Sequence, residues 1–311
     1  MNGGRDRYDV VVLGGVNTDY AIRASSLPIP NRPASDGAFF RACGGKGLNQ
    51  AVAAARLGAR VALIARVGAD ARGREAVACL ASEQVAIDFV TFDPVLPTGV
   101  AVIHVDKEGR KQTAAALGAN RQLSTAGVDA AAPAIARAGV LLAQLEIPLA
   151  CVERAARIAN SQAVRVILDP APAAPLADKL TRQLFVVKPN AGEARSITGV
   201  HVDNRASARA AAQELRRRGA RHVVVSLDDG TLLLSEDLER WYPNLPVQTI
   251  DTTGAGDAFA GALAVASIEG RSIDMAVEFA HTAAAAATTV VGAFASLPTR
   301  GAVEHLLSRQ D

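Results

Sequence analysis

The sequence is poor in cysteine and in aromatic residues, and it lacks long apolar runs. Its 311 residues include three widely separated cysteines, which fit neither a disulfide framework nor a cysteine-ligated metal site. We therefore expect a protein of the reducing cytoplasm. No stretch approaches the ~18 consecutive apolar residues of a membrane helix, and the first residues do not resemble a signal peptide.

The charges of the chain nearly cancel. It has 33 basic and 31 acidic residues, for a net charge of +2. Such a balance provides no general attraction for nucleic acid or for a membrane surface, so we expect neither as a partner. Half of the residues are hydrophobic and 21% are charged, which is typical of a folded chain with a large core.

Short apolar runs alternate with helical patterns along the chain. Valine, isoleucine and leucine dominate these runs, as in strands that are buried on both faces, at 9–13, 60–64, 140–144, 164–168, 185–188 and 222–226. Helices are predicted at 47–57, 72–83, 149–160 and 206–218. This order predicts a mainly parallel sheet between helical layers, a three-layer α/β/α Rossmann-like domain over 1–311.

Two segments interrupt that alternation. Residues 22–40 are proline-rich and then mixed, whereas 99–106 alternate in polarity and lead into a Lys-Glu-Gly-Arg turn. The second pattern is typical of a β-hairpin. We predict that the two segments form a small β-lid, made of about 20–42 and 97–115.

The most informative stretch is Asp-Thr-Thr-Gly-Ala-Gly-Asp-Ala-Phe-Ala-Gly at 251–261. A glycine turn that opens a helix presents free N–H groups, and the helix dipole favours an anion there. The Asp257 carboxylate could then take a proton from a hydroxyl while these groups hold phosphoryl oxygens. An ordinary helix cap is the alternative. The stretch matches neither a Walker A loop nor a dinucleotide fingerprint.

A second glycine turn, Gly-Gly-Lys-Gly-Leu-Asn-Gln-Ala at 44–51, also opens a predicted helix. The stretch at 44–51 resembles the first signature of the PfkB carbohydrate-kinase, or ribokinase, family, and the stretch at 251–261 resembles its second. The resemblance extends over roughly residues 8 to 308. It implies a ribokinase-like fold and an ATP-dependent kinase that transfers the γ-phosphate to the primary 5-hydroxyl of D-ribose.

The resemblance also implies roles for individual residues. Asp257 would be the catalytic base beside an anion hole formed by Gly254, Ala255 and Gly256. The implied sugar-binding residues are Asn17, Asp19, Gly45, Lys46, Asn49 and Glu146, together with Asp257. The implied ATP-binding residues are Asn190, Glu193, Ser226, Gly256 and His281.

Two metal ions and an assembly follow from the same resemblance. Asn190 and Glu193 would serve Mg²⁺ largely through water. A potassium ion would bind oxygen ligands from Asp251, Thr253, Ala287, Val290, Gly292 and Ser296. The implied partners are a small sugar, ATP and a second copy of the chain in a homodimer.

The chain departs from the family pattern at three places. Asp228-Asp229-Gly230 stands where many relatives have a longer nucleotide loop, and Pro-Asn-Arg-Pro-Ala-Ser at 30–35 replaces the usual lid entry. Gly254 stands where many bacterial ribokinases have alanine. These differences leave open a kinase for deoxyribose, another sugar or a nucleoside. A non-catalytic sugar-binding or regulatory protein is the alternative from another class.

Overall fold

The computed structural model describes residues 7–31 and 36–309. In those residues the strands are β1 Val10–Leu13, β2 Asn17–Arg23, β3 Ala38–Gly44, β4 Val61–Gly68, β5 Val90–Asp93, β6 Gly99–Val105, β7 Lys111–Ala116, β8 Val140–Ala143, β9 Arg165–Leu168, β10 Val186–Val187, β11 His222–Leu227, β12 Gly230–Leu234 and β13 Glu239–Pro243. The α-helices are α1 Lys46–Arg56, α2 Ala71–Ser82, α3 Thr125–Ala130, α4 Ala132–Arg137, α5 Leu149–Ser161, α6 Asp178–Thr181, α7 Ala191–Thr198, α8 Arg205–Arg217, α9 Ala255–Ile268, α10 Ile273–Ala287, α11 Ala293–Ser296 and α12 Arg300–Leu307.

The larger sheet has the strand order β13-β12-β11-β10-β9-β8-β1-β4-β5. The seven strands from β11 to β5 are parallel, and β12 and β13 extend the sheet as antiparallel neighbours. All six predicted strand segments lie in the parallel part. The mainly parallel architecture predicted from the alternating runs is therefore confirmed.

Helices cover both faces of this sheet because strands near its centre, such as β1, β8 and β10, are apolar on every residue. In β1, Val10 and Val12 pack into one core with α1, α9 and α10, whereas Val11 and Leu13 pack into the other with α5 and α8. All four side chains are fully buried. Alternation along a strand thus supplies two cores from one continuous apolar run, which gives the three-layer arrangement.

A second sheet, with the order β3-β2-β6-β7, corresponds to the segments predicted as the β-lid. β6 and β7 form the antiparallel hairpin expected after 99–106, and Asp106 caps its turn by accepting from the N–H groups of Glu108 and Arg110. β2 begins at Asn17, earlier than the predicted lid boundary, because its first residues already pair with both β3 and β6. Of the unusual 30–35 segment, 32–35 lie outside the described residues.

Helices α1 and α9 pack very closely where Gly261 faces Ala53. A Cβ added at Gly261 would lie 2.7 Å from Ala53 Cβ and 3.1 Å from the Gln50 carbonyl oxygen. The absence of a side chain therefore lets the second turns of the two helices approach each other, near the carboxyl ends of the strands, where open α/β sheets bind ligands.

A glycine-to-alanine pair tests this close approach. Gly261→Ala should lower the free energy of unfolding by about 1–3 kcal/mol, because the added methyl group overpacks the contact between α1 and α9. Gly301→Ala in α12 is the matched control: nothing lies within 4 Å of its added Cβ, so stability should be unchanged or rise by up to about 1 kcal/mol. Chemical denaturation of both variants gives the comparison, and equal effects would contradict the packing argument.

Candidate active site

Asp257 lies in the first turn of α9, and only 7% of it is exposed. Its Oδ2 accepts a hydrogen bond from Asn49 Nδ2, and its Oδ1 accepts one from Gln50 Nε2, each at 3.0 Å. Lys46 Nζ is 3.7 Å from Oδ1. Two amides and an ammonium from the start of α1 thus hold the carboxylate in one orientation, as a positioned proton acceptor requires.

A second buried carboxylate, Asp169, follows the end of β9 and shares the same neighbours. Its Oδ2 accepts from Gln50 Nε2 at 2.8 Å and from Lys46 Nζ at 3.2 Å, and Lys188 Nζ lies 3.5 Å from its Oδ1. Burial opposes ionisation, but the charges of Lys188 and Lys46 hold the pKa of Asp169 below its ordinary value. Burial lowers the pKa of Lys46, but the charges of Asp169 and Asp257 outweigh this effect and raise it above its ordinary value.

Glu146 joins the predicted sugar residues to this network. Its Oε2 accepts from the Lys46 backbone N–H at 2.7 Å, and its Oε1 accepts from Asn17 Nδ2 at 3.1 Å. Burial raises the pKa of Glu146 to about 7, although the Lys46 charge opposes the shift. Burial and the nearby Asp257 charge raise the pKa of Asp19 to about 6.

The structure places Asn17 and Asp19 on lid strand β2. Asn120, which was not predicted, holds this part of the chain: its Nδ2 donates to Asn17 Oδ1 at 2.9 Å, and its Oδ1 accepts from Val16 N at 2.8 Å. Glycine is needed nearby at two positions. Gly45 has a φ of +88°, and a Cβ on Gly44 would lie 2.2 Å from the Asp19 carboxylate.

A cavity of about 230 Å³ lies between the lid and two segments of the main domain, 250–253 and 291–295. Asp19 and Ala42 line it on the lid side, and Asp251, Thr253 and Gly292 line it on the other. A hollow of about 540 Å³ lies elsewhere, at the start of β4, but none of the predicted site residues line it. The smaller cavity is lined by four of the predicted site residues, namely Asp19, Asp251, Thr253 and Gly292.

The glycine-rich loop has the shape of an anion-binding turn. Gly254 has a φ of +86°, and Ala255 N donates to Thr252 O at 3.3 Å, which closes a turn at the start of α9. A Cβ added at Gly256 would meet one atom within 4 Å, Lys188 Nζ at 3.5 Å. The face of Gly256 is therefore open to an incoming phosphoryl group, with an ammonium beside it.

The predicted potassium residues occupy two adjoining segments. Asp251 Oδ1 accepts from the backbone and the hydroxyl of Thr253, and its Oδ2 accepts from Gly292 N at 2.9 Å. Ser296 Oγ donates to Thr253 O at 3.3 Å. Burial opposes ionisation of Asp251, but these hydrogen bonds keep its pKa below the ordinary value.

The other two predicted potassium ligands are Ala287, the last residue of α10, and Val290, which follows that helix. Val290 N donates to Ala287 O at 3.3 Å, and Thr288 O between them accepts from Ile250 N and Asp251 N. The second segment is thereby tied to the first. A carboxylate with neighbouring carbonyl and hydroxyl oxygens suits a hard monovalent cation.

Asn190 and Glu193 form a reciprocal cap at the start of α7. Asn190 Oδ1 accepts from Glu193 N at 2.8 Å, and Glu193 Oε2 accepts from Asn190 N at 2.9 Å. Burial and the Asp169 charge raise the pKa of Glu193. In the described part of the chain, no group of three or more His, Cys, Asp or Glu side chains could hold a metal.

The remaining predicted nucleotide residues differ in setting. Ser226 bridges to Asn190 at the end of β11, so these two residues are neighbours. His281 is buried: its Nε2 is 2.9 Å from Pro243 O, and its Nδ1 is 3.3 Å from Thr231 Oγ1. Both ring nitrogens are thus occupied by the protein, and the predicted contact of His281 with ATP stays a prediction. Asp228 and Asp229 form an exposed two-residue turn between β11 and β12.

Similarity to known proteins identifies the family of this chain. Residues 7–300 match the pfkB family of carbohydrate kinases. The chain is 39% identical to the ribokinase of Haemophilus influenzae over 295 residues, which cover 94% of this chain and 96% of that one. The chain belongs to the pfkB carbohydrate-kinase family. It is therefore a member of a family of sugar kinases, as the two glycine-rich signatures predicted.

Two further relatives bear on the choice of sugar within the pfkB family. The deoxyribokinase of Salmonella typhi is 32% identical over 295 residues, which cover 94% of this chain and 96% of that relative. The structure of Arabidopsis thaliana ribokinase complexed with ribose and ATP superposes with a TM-score of 0.86 at 30% identity. It covers 96% of this chain and 98% of that chain.

Sequence reasoning missed several residues of the site: Gln50, Asn120, Asp169 and Lys188. Gln50 follows Asn49 directly within the first signature, and Asp169 and Lys188 each lie at a strand end before a proline, so position offered a signal for these three. Asn120 had none, because it reaches the site from a 3₁₀ turn at 118–122. Among the described residues, no helix is both long enough and apolar enough to cross a membrane.

The raised pKa of Glu146 predicts a specific pH dependence of stability. A carboxyl whose pKa rises from 4.5 to about 7 on folding binds its proton more tightly in the folded state. The free energy of unfolding, relative to Glu146→Gln, should therefore fall by up to about 3 kcal/mol as the pH rises from the lower to the higher pKa. Denaturation curves across this range test it, with the exposed Glu236→Gln as control, and parallel curves for wild type and Glu146→Gln would contradict it.

Proposed function

We propose that the protein phosphorylates D-ribose at its primary 5-hydroxyl, with ATP as the phosphoryl donor. The observation that carries the proposal is the position of Asp257 beside the open face of Gly256. Asn49 and Gln50 hold its carboxylate there, in the network that Lys46 extends to Glu146. A sugar hydroxyl held by this network and a phosphate on the glycine turn would meet at this carboxylate. The ribokinases among the relatives support ribose as the sugar.

The polar side chains of the predicted sugar site suit a polyhydroxy substrate. Asp19 and Glu146 present acceptors, and Asn49 Oδ1 is a buried oxygen with no hydrogen-bond partner in the described part of the chain. A buried acceptor without a protein partner is satisfied when a ligand donates to it. Sugar hydroxyls, which donate and accept, match this set.

In the proposed reaction, Asp257 accepts the proton of the sugar hydroxyl as that oxygen attacks the γ-phosphorus, and ADP leaves as the bond from the γ-phosphorus to its bridging oxygen breaks. The free N–H groups at the start of α9 and the Lys188 ammonium stabilise negative charge on the phosphoryl oxygens. The Lys46 ammonium offsets the negative charges of the Asp169 and Asp257 carboxylates. Positioning and electrostatic stabilisation are the main requirements of phosphoryl transfer.

Two ions complete the proposal. Mg²⁺ would neutralise charge on the ATP phosphates, held mainly by phosphate oxygens and water near Asn190 and Glu193. Potassium would bind at the Asp251 segment and stiffen the glycine-rich loop. The cytoplasmic location inferred from the sparse cysteines remains a prediction.

The direct test is turnover of ATP with D-ribose, 2-deoxyribose, fructose and adenosine, each with and without potassium. We expect the highest kcat/KM with ribose, and stimulation by potassium. A preference for 2-deoxyribose would favour the activity named for the Salmonella typhi relative. A preference for fructose or adenosine would overturn the choice of ribose, and binding without turnover would support the non-catalytic alternative.

Removal of the proposed base tests the mechanism. Asp257→Asn keeps the shape of the side chain but cannot accept the proton, so kcat should fall by roughly 10²–10⁴ while ATP affinity survives. Steady-state kinetics and calorimetric titration with ATP measure the two effects. Asp237→Asn, in an exposed position, is the control. A variant of Asp257 with normal turnover would refute its role.

We also propose that the protein forms a homodimer through the outer face of the lid. On this face the Tyr20 and Phe39 rings stack at 6.2 Å, and Phe39 is 62% exposed. Val102, directly opposite Tyr20, is 37% exposed. Together these side chains form an apolar patch that a second copy would cover.

Light scattering after size exclusion tests the dimer. Wild-type protein should elute as a dimer of 32.1-kDa chains, and Phe39→Asp should shift it toward the monomer, because the charge would be buried at the interface. Phe92→Asp is the matched control, since Phe92 is 45% exposed but lies on β5, outside the lid. A monomeric wild type, or equal effects of the two variants, would exclude this interface.

A further inference from the structure

Lys111, the first residue of β7, connects the lid to the glycine-rich loop. Its Nζ donates to Thr252 Oγ1 and to Thr253 Oγ1, each at 3.1 Å. The other cations of this hairpin contact the hairpin itself: Lys107 lies near Glu108, and Arg110 pairs with Asp106 and Glu108. Lys111 therefore stands apart, because it contacts a segment on the opposite side of the cavity.

Both threonines control the conformation of the loop. The carbonyl oxygen of Thr252 accepts from Ala255 N in the turn that opens α9, and the hydroxyl of Thr253 donates to Asp251. The same turn aims Gly256 and Asp257. Because an ammonium donor makes stronger hydrogen bonds than a neutral donor, two such bonds restrict the loop at two successive residues.

On the lid side, Lys111 is joined to the sugar cavity through strand pairing. It lies opposite Val105 on β6, and Val105 lines the same cavity as Asp251 and Thr253. β6 in turn pairs with β2, which carries Asp19. The contact of Lys111 with Thr253 therefore links the lid side of this cavity to the loop on its other side.

We propose that Lys111 is a positioning residue for phosphoryl transfer. It latches the lid onto Thr252 and Thr253, so that closure over the sugar also orders the loop that carries Asp257. This inference rests on the proposed sugar-kinase function. Lys111 acts through the two threonines, and its loss should loosen the closed state without removing the base or the sugar contacts.

The kinetic test compares Lys111→Met, Lys111→Arg and Lys107→Met with the preferred sugar. Lys111→Met should lower kcat/KM for the sugar by about 5–30-fold, as expected for the loss of charged hydrogen bonds at a partly exposed site, with KM for ATP changed less than about twofold. It should also raise the ratio of ADP to sugar phosphate formed, because a loosened lid admits water. Lys111→Arg should restore part of the loss, and Lys107→Met should behave as wild type.

A double-mutant cycle identifies the partner of the ammonium. If the latch acts through Thr252, then Thr252→Val should cost far less in a Lys111→Met background than in wild type. Additive effects, or a Lys111→Met variant within twofold of wild type in both kcat/KM and ADP ratio, would overturn the proposal.

Hydrogen exchange tests the latch independently of any substrate. In Lys111→Met, amides of 111–116 and 252–257 should exchange faster than in wild type, whereas amides of the central strands should not change. Unchanged exchange in both segments refutes the latch whatever sugar the enzyme uses. Faster exchange in a protein that phosphorylates none of the tested sugars would sustain the latch and reject only the proposed function.

Discussion

The site depends on one buried amide that holds two carboxylates at once. Gln50 donates to Asp169 at 2.8 Å and to Asp257 at 3.0 Å, and its own oxygen accepts from Gln144. Buried charge is tolerated only when it is paired and hydrogen-bonded, so the lysines around these acids are as necessary as the acids. The close packing of α1 on α9 at Gly261 makes this geometry attainable.

Environment divides the acids of the site into two kinds. Lysines keep the pKa of Asp169 low, whereas burial raises the pKa of Glu146 and of Asp19. The first kind supplies a fixed negative charge near the phosphate turn. The second kind belongs to the proposed sugar site, where hydroxyl groups can share protons with a carboxyl. Opposite shifts among neighbouring acids are typical of functional sites.

The lid belongs to the site as fully as the main sheet does. Its strand β2 carries Asn17 and Asp19, and its strand β7 carries Lys111, which reaches the loop before α9. The pieces that would bind sugar, bind phosphate and close the cavity are therefore one connected structure. Mutual dependence of lid and loop would let phosphoryl transfer follow closure over the substrate.

The sequence by itself determined the α/β architecture, because continuous apolar runs are typical of parallel strands that are buried on both faces. It also indicated the Asp257 loop, because a glycine turn that opens a helix presents free N–H groups to an anion. Only the tertiary structure decided which distant side chains meet there. Four side chains contact residues from other parts of the chain: Gln50, Asn120, Lys188 and Lys111. The carbonyl oxygens around Asp251 belong to the backbone, so the residue types at those positions do not reveal them. Long-range packing, which no local pattern encodes, brings them together.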